Sequence, residues 1–456
     1  MIADLKPYPA YRESGMPWLG QVPEHWKQRR TKFLFSERIQ KGFPDEPLLA
    51  ATQSKGVVRK EEYGSRTVTA TKDVHLLKLV EQGDYVISLR SFEGGIEVAH
   101  SRGIISPAYT VLAPQNEASQ GYYTHFFKSP DFIRSLTFFV TGIREGQNID
   151  YERLSRAYLP LPPSDEQLAI VRFLNWANGQ LEKAIRAKRK VITLLNEQKQ
   201  AIIHRAVTLG LDSSVCLKPS GIPWLGDIPA HWEKRRLKII ASNVTEQTSF
   251  MSEVDVYVAL ENVESWSGKV TPQRKQDGDL FTGQVKKFQK NDVLFGKLRP
   301  YLAKAFTALV SGVCVGEFFV LRTNSCLCSK FLEHVLHTKA VIDVINSSTF
   351  GAKMPRVDWQ FMGNLQIPVP PISEQKDIIQ KIDIDTLPLH VAISRFEREI
   401  ELLREYRTRL VADVVTGKLD VREAAAKLSD EAMPDLSDND SVEALEDEPF
   451  EEEALV

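Results

Sequence analysis

Residues 14–32 read SGMPWLGQVPEHWKQRRTK and residues 220–238 read SGIPWLGDIPAHWEKRRLK, identical at 12 of 19 positions at an offset of 206. Unrelated segments of ordinary composition would share about one. LPLPPSDEQ (159–167) returns as IPVPPISEQ (367–375), and AVTLGLD (206–212) returns as VVTGKLD (414–420), both at an offset of 208. A unit of that length is domain-sized and far too long for a solenoid repeat. The chain must therefore fold into something it can make twice. Two such units in one chain can form a pseudo-two-fold molecule, in which the halves of a homodimer are free to diverge.

Each copy has the same grammar. The SGxPWLGxxPxHW element opens it, with glycines and prolines marking turns and tryptophans expected to be buried. A mixed region follows, with strand-like runs such as DYVISLR (84–90) and DVLFGKLR (292–299). GIISPAYTVLAP (103–114) matches GVCVGEFFVLRTN (312–324), and helical stretches follow around 122–128 and 330–338. A proline cluster then closes the globular part. Ser164, Asp165, Glu166 and Gln167, and their counterparts Ser373, Glu374 and Gln375, read as the start of a long helix.

Those helices carry a heptad period. Reading a and d positions from Val171 gives Val171, Leu174, Asn178, Leu181, Ile185, Lys188, Ile192, Leu195, Lys199 and Ile202. A shift of 208 gives Ile379, Ile382, Thr386, Leu389, Ile393, Phe396, Ile400, Leu403, Arg407 and Leu410. Two polar interruptions coincide, Asn178 with Thr386 and Lys199 with Arg407. Apolar seams sustained over five heptads predict a coiled coil, most naturally an antiparallel pair within one chain. The competing arrangement is two amphipathic helices, each docked on its own domain. Pro388 is expected to kink or break the second helix. The fold class is thus α/β (α+β), with two globular domains alternating with two long helices. The boundaries read as 1–163, 164–208, 209–371 and 372–422, followed by a tail over 423–456.

From 423 to 456 there are 13 acidic residues and one lysine, so the other 422 residues hold 57 basic and 47 acidic side chains. The tail is too charged to fold alone. The basic body suits a polyanion. No window reaches ~18 uninterrupted apolar residues. The four cysteines, Cys216, Cys314, Cys326 and Cys328, lack a metal-ligand spacing. They read as incidental thiols in a reducing cytoplasm.

Catalytic motifs are scarce. There is no GxxxxGK[ST] loop, no HExxH and no HxE…CxxC spacing, and Gly94-Gly95 lacks a nucleotide-binding context. No Asn/Asp-Pro-Pro-aromatic stretch of an amino-methyltransferase occurs. His25 and His231 recur beside Trp26 and Trp232, as structural histidines would. For binding a polyanion, residues 269–304 hold nine basic residues, including Arg274, Lys275, Lys286, Lys297, Arg299 and Lys304. The first copy offers Lys55, Arg59, Arg66 and Arg90. The loops TGIREGQNID (141–150) and TFGAKMPRVD (349–358) place Arg144, Lys353 and Arg356 beside glycines, where backbone can approach a phosphate. Gln147 and Asn148 are residue types that read adenine edges.

Taken together, the SGxPWLGxxPxHW opening, the LPxPPxxEQ hinge and the EYRxxLxxxVVTGKLDVR ending (405–422) resemble the specificity subunit of type I restriction–modification systems. The resemblance covers about residues 8–422. It implies two target-recognition domains that each read one half of a split double-stranded DNA sequence, and two antiparallel helices that fix the gap. It also implies docking of two copies of the modification subunit, an adenine methyltransferase, together with a restriction subunit that translocates and cleaves. S-adenosylmethionine, ATP and magnesium would belong to those partners, and this chain would carry no catalytic residue. The alternative is a stand-alone methyltransferase or nuclease with a duplicated reader.

Overall fold

The computed structural model describes residues 5–53, 55–63, 74–115, 117–141, 148–248, 256–271, 284–351 and 354–428. The chain divides into two compact units. Unit 1 is Met1–Ala187 with Glu399–Val456, and unit 2 is Lys188–Arg398. The division runs through the middle of two long helices, Ser164–Leu209 and Ile372–Val415. Each unit thus holds one globular domain, the first half of one helix and the second half of the other.

The duplication is visible strand by strand. In unit 1 an antiparallel sheet runs in the order Phe35–Glu37, Thr110–Pro114, Tyr85–Ile87, Glu97–Val98. In unit 2 the order is Ala241–Val244, Phe318–Thr323, Val293–Gly296, Ala305–Thr307. Lys27 pairs with Leu161, and its repeat Glu233 pairs with Val369, so even the register is repeated. The central strands Tyr85–Ile87 and Val293–Gly296 are buried throughout, and in unit 2 successive residues face two cores, Val293 and Phe295 on one side and Leu294 on the other, as the period of two requires.

The three motifs that repeat in the sequence meet at one point in each unit. In unit 1 the Trp26 indole donates to Glu166 Oε1 at 2.7 Å, and His25 Nε2 lies 2.8 Å from Oε2. In unit 2 the Trp232 indole donates to Glu374 at 3.0 Å, with His231 at 2.8 Å. The other side of each tryptophan meets the end of the other helix. A Cβ on Gly417 would lie 3.0 Å from the Trp26 ring and 2.4 Å from Pro23 Cδ, and one on Gly210 would lie 3.1 Å from the Trp232 ring. Both glycines have positive φ (79° and 74°), so a side chain there is excluded twice over. Each PxHW element therefore clamps the start of one long helix against the end of the other.

This geometry changes the reading of the helix-start signature. Glu166 and Glu374 do not cap their helices, because their carboxylates are spent on tryptophan and histidine. The residue that ties back is the glutamine. Gln167 and Gln375 each donate through Nε2 at 2.8 Å to a carbonyl of the proline cluster, Pro162 and Pro370.

Within each unit the two helix halves pack together and run antiparallel. In unit 1 Glu182 meets Arg407 at 3.3 Å, and Leu174 shares a buried cluster with Leu410. In unit 2 Lys188 Nζ sits 5.3 Å from the Phe396 ring centroid, and Ile203 shares a cluster with Ile382. Every seam residue named from the heptads is buried or half-buried. Leu174, Leu181, Ile185, Ile382, Ile393 and Ile400 are buried, while Ile192, Leu195, Leu389 and Leu403 are half-buried. Of the kink or break expected at Pro388, no break occurs. The proline lies on an exposed face with Ile384, so solvent can take the carbonyl that loses its helical partner.

After the second helix, Arg422–Ala426 form a short helix, and Val421, Ala424 and Ala425 are buried in unit 1. The ordered chain thus extends past the expected tail boundary at 423, while residues 429–456 lie outside the described ones. Among the described residues no helix is long and apolar enough to cross a membrane.

Candidate nucleic-acid interface

The edges that carry the sequence-predicted cations are built on the repeated sheet. In unit 2 the strand Val293–Gly296 leads into Lys297 and Arg299, and the loop 349–358 folds back onto it. Arg299 N–H donates to Pro355 O at 2.8 Å, and Val357 N–H donates to Lys297 O at 3.1 Å. Phe350 and Arg356 exchange both backbone bonds, at 3.2 and 3.1 Å, which ties these two positions together as an antiparallel bridge. Lys297, Arg299 and Arg356 are thereby brought together. Arg299 is exposed, and Arg356 is held by Glu317 at 2.7 Å. Lys297 is half-buried. Its ammonium donates to Gly316 O at 2.7 Å and lies 5.1 Å from the Phe319 ring centroid. Arg274, Lys275 and Lys353 lie outside the described residues.

Unit 1 assembles the matching edge from matching segments. Arg90 precedes the short helix Ser91–Gly94, which packs beside the strand Asn148–Ile149. Asn148 is exposed opposite Thr141. Lys128 fastens a third segment to this edge, donating to Gln53 O at 3.1 Å and Gly94 O at 2.9 Å while pairing with Glu97. That brings the hairpin turn with exposed Lys55 alongside Arg90. Arg59 ends the outgoing strand Gly56–Arg59 and sits at the far end of the same hairpin. Arg66, Arg144 and Gln147 fall outside the described residues.

Two lysines counted by sequence as part of a basic surface have internal roles. Lys286 is buried and donates to Phe318 O at 2.8 Å, as Lys78 does to Tyr109 O at 2.7 Å in unit 1. Burial, with Lys297 beside it, brings the Lys286 ammonium down to about 8. Lys304 is turned inward to Leu260 O at 2.8 Å. Counting charge along a sequence cannot separate such ties from surface cations, because lysine's long stem serves both.

Sequence reasoning also passed over three apolar side chains at the unit 2 edge. Phe350 is 59% exposed, Met354 58% and Tyr301 43%. The available signal was the KLRPY run, where an aromatic follows the arginine. Among the described residues no group of three or more His, Cys, Asp or Glu side chains is placed to hold a metal ion.

Comparison with known proteins agrees with this architecture. Residues 262–387 match the family model for the type I restriction modification DNA specificity domain. The chain is 22% identical to the EcoDI specificity subunit of Escherichia coli over 263 residues, 54% of this chain and 59% of that protein. It is 22% identical to the putative MjaX specificity subunit of Methanocaldococcus jannaschii over 440 residues, 89% of this chain and 96% of the other. A chain from a solved structure, described as the basis of complex assembly and conformational transition of the type I R-M system, superposes with a TM-score of 0.61. That superposition covers 87% of this chain and 99% of the other at 14% identity, so it speaks for a shared fold. Over residues 262–387 the chain thus resembles the type I restriction modification DNA specificity domain, and over most of its length it is similar to a protein named as a putative type I specificity subunit.

Proposed function

We propose that the chain is the non-catalytic DNA-recognition subunit of a type I restriction–modification complex, with each globular domain reading one half of a bipartite target. The observation that supports this most is the pairing of constancy and change. Strand order, register and the Trp–Glu–Gly clamp repeat between units, whereas the polar residues at the two loop edges differ. A scaffold kept and an edge altered is what two readers of different sequences require. The long helices set the unread spacer and, with the clamped elements, dock two modification subunits. S-adenosylmethionine, ATP and magnesium are used by the modification and restriction subunits. Residues 33–140 and 239–349 carry the reading surfaces, and phosphate contacts from Lys55, Arg90, Arg299 and Arg356 supply salt-dependent affinity.

The test is co-expression with the modification subunit, followed by genome-wide mapping of methylated adenines. A split motif methylated on both strands is expected. Exchange of residues 33–140 for another reader should change one half of it and spare the other. Methyl transfer by the isolated chain would overturn the non-catalytic reading.

A further inference from the structure

We propose that unit 2 reads its DNA partly through an apolar wedge, Tyr301, Phe350 and Met354, that enters a groove and partly unstacks one base step. This rests on the recognition function proposed above and assigns it to particular side chains. All three are exposed, and they sit on the two loops that carry Arg299 and Arg356. Backbone bonds join the two loops, Arg299 N–H to Pro355 O at 2.8 Å and Phe350 to Arg356, so each of the three lies within two residues of a bond that fixes this edge. The charge around them fits a polyanion. The nearby acids are already engaged, Glu317 with Arg356, and Asp358 as acceptor from Phe361 N–H at 2.7 Å. Cations that hold phosphates beside apolar groups that enter between bases are the combination used by proteins that kink a duplex.

The backbone is built to hold this edge rigid. Arg299 (φ 48°) and Ala303 (φ 47°) both adopt left-handed conformations around the turn Pro300–Leu302. For residues with a Cβ this conformation is strained by the approach of Cβ to the following carbonyl. The strain is held by hydrogen bonds from Arg299 N–H to Pro355 O at 2.8 Å and from Ala303 N–H to Pro300 O at 2.9 Å. Unit 1 meets the Ala303 position with Gly95 (φ 86°), which needs no such restraint. Strained, over-determined backbone in one copy and relaxed glycine in the other marks a turn shaped for what it presents. A pre-set turn also spares ordering entropy on binding.

The experiment uses the full chain co-purified with its modification subunit. The methylated motif is mapped for wild type and for Tyr301→Ala, Phe350→Ala and Met354→Ala. Binding to a duplex carrying that motif is then measured across salt, with 2-aminopurine placed step by step through the half-site. Each alanine variant should relax one or two positions of the unit 2 half-site, leave the unit 1 half-site intact, and weaken binding roughly tenfold. Its salt slope should stay that of wild type, whereas Arg299→Ala should lower the slope by about one. Phe350→Leu should restore most of the binding, and the 2-aminopurine signal of unstacking should disappear in Phe350→Ala. Wild-type motif and affinity in all three alanine variants would overturn the wedge. So would loss of the modification subunit with both half-sites weakened together, which would make the patch a protein contact. A wild-type complex that methylates no split motif would instead remove the recognition function, and the wedge with it.

Discussion

The two units share a backbone plan but fill it with different chemistry. Behind the sheet of unit 1 lies an aromatic cluster of Phe35, Tyr85, Tyr122, Tyr123, Phe126, Phe127 and Phe132, with ring centroids as close as 4.9 Å. The corresponding helix of unit 2, Ser329–Leu336, buries Phe331, Leu332, Val335 and Leu336 but also Glu333 and His334, with His337 just beyond. Lys199, from the seam of the first long helix, is buried in the same unit. Equal topology with unequal cores shows which interactions the fold requires. The clamp and the registers are common to both units, and the filling is exchangeable as long as volume is kept.

The largest break in this comparison should come from unit 1's rings. Phe127→Ala removes a fully buried ring that touches five others and should cost about 3–5 kcal/mol. Hydrogen exchange read peptide by peptide should show the loss in unit 1 and leave unit 2 protected. Next comes the clamp. Glu166 is 2% exposed and also accepts from Tyr8, whereas Glu374 is partly open to solvent. Glu166→Ala leaves buried indole and phenol donors without a partner and should cost about 3 kcal/mol, against about 1 for Glu374→Ala. Equal costs would mean that the clamp is worth only its packing.

Acid should separate the units further. Burial, with Lys330 nearby, lowers His334 to about 3, and burial lowers His337 to about 4. Both folded values lie below the unfolded value, so the unfolded chain takes up protons first. The stability they carry is present above pH ~6.5 and drains away as pH falls. Between pH 6.5 and 5.5 the pair should cost unit 2 about 2 kcal/mol. In unit 1, burial outweighs Lys128 and pushes Glu97 up to about 7. That carboxyl favours folding at low pH and loses this contribution as pH rises through 7, which offsets the lowered His125. Hydrogen exchange at pH 5.5 and 7.5, corrected for intrinsic rates, should find unit 2 selectively loosened in acid. A parallel shift in both units would remove these histidines as the cause.

What could be read from the sequence was whatever depends on periodicity. The repeat offset placed the strands of both sheets, and the heptads named seam residues from Leu174 to Leu403 that are all shielded. Roles set by distant partners were hidden. Glu166 reads as a helix-start acid because its tryptophan lies 140 positions upstream. Lys286 reads as a surface cation because its carbonyl partner, Phe318, is placed by a strand of a different sheet. Of the apolar edge only Tyr301 carried a signal, the aromatic beside Arg299 in KLRPY; Phe350 and Met354 follow no pattern that marks them as outward, because exposure is a property of the assembled loops.

The smallest differences test the seam itself. Lys199 and Arg407 occupy the same heptad position in the two helices, yet only Lys199 is buried, where burial lowers its ammonium and Lys330 adds to the effect. Lys199→Met exchanges a buried charge that Glu264 only partly offsets for an apolar stem of similar length and should stabilise unit 2 by about 1 kcal/mol. Arg407 reaches Glu182 at 3.3 Å with both side chains about two-fifths exposed, so solvent screens the pair. Arg407→Met should therefore change unit 1 by less than about 0.5 kcal/mol, and added salt should erase even that. Reversal of this order, with Arg407 costly and Lys199 neutral, would mean that the seam is held by its ion pairs and not by its apolar rows. Only the apolar rows repeat between the two helices without exchange of partners, and the near-neutral result at Arg407 is what a seam held by them requires.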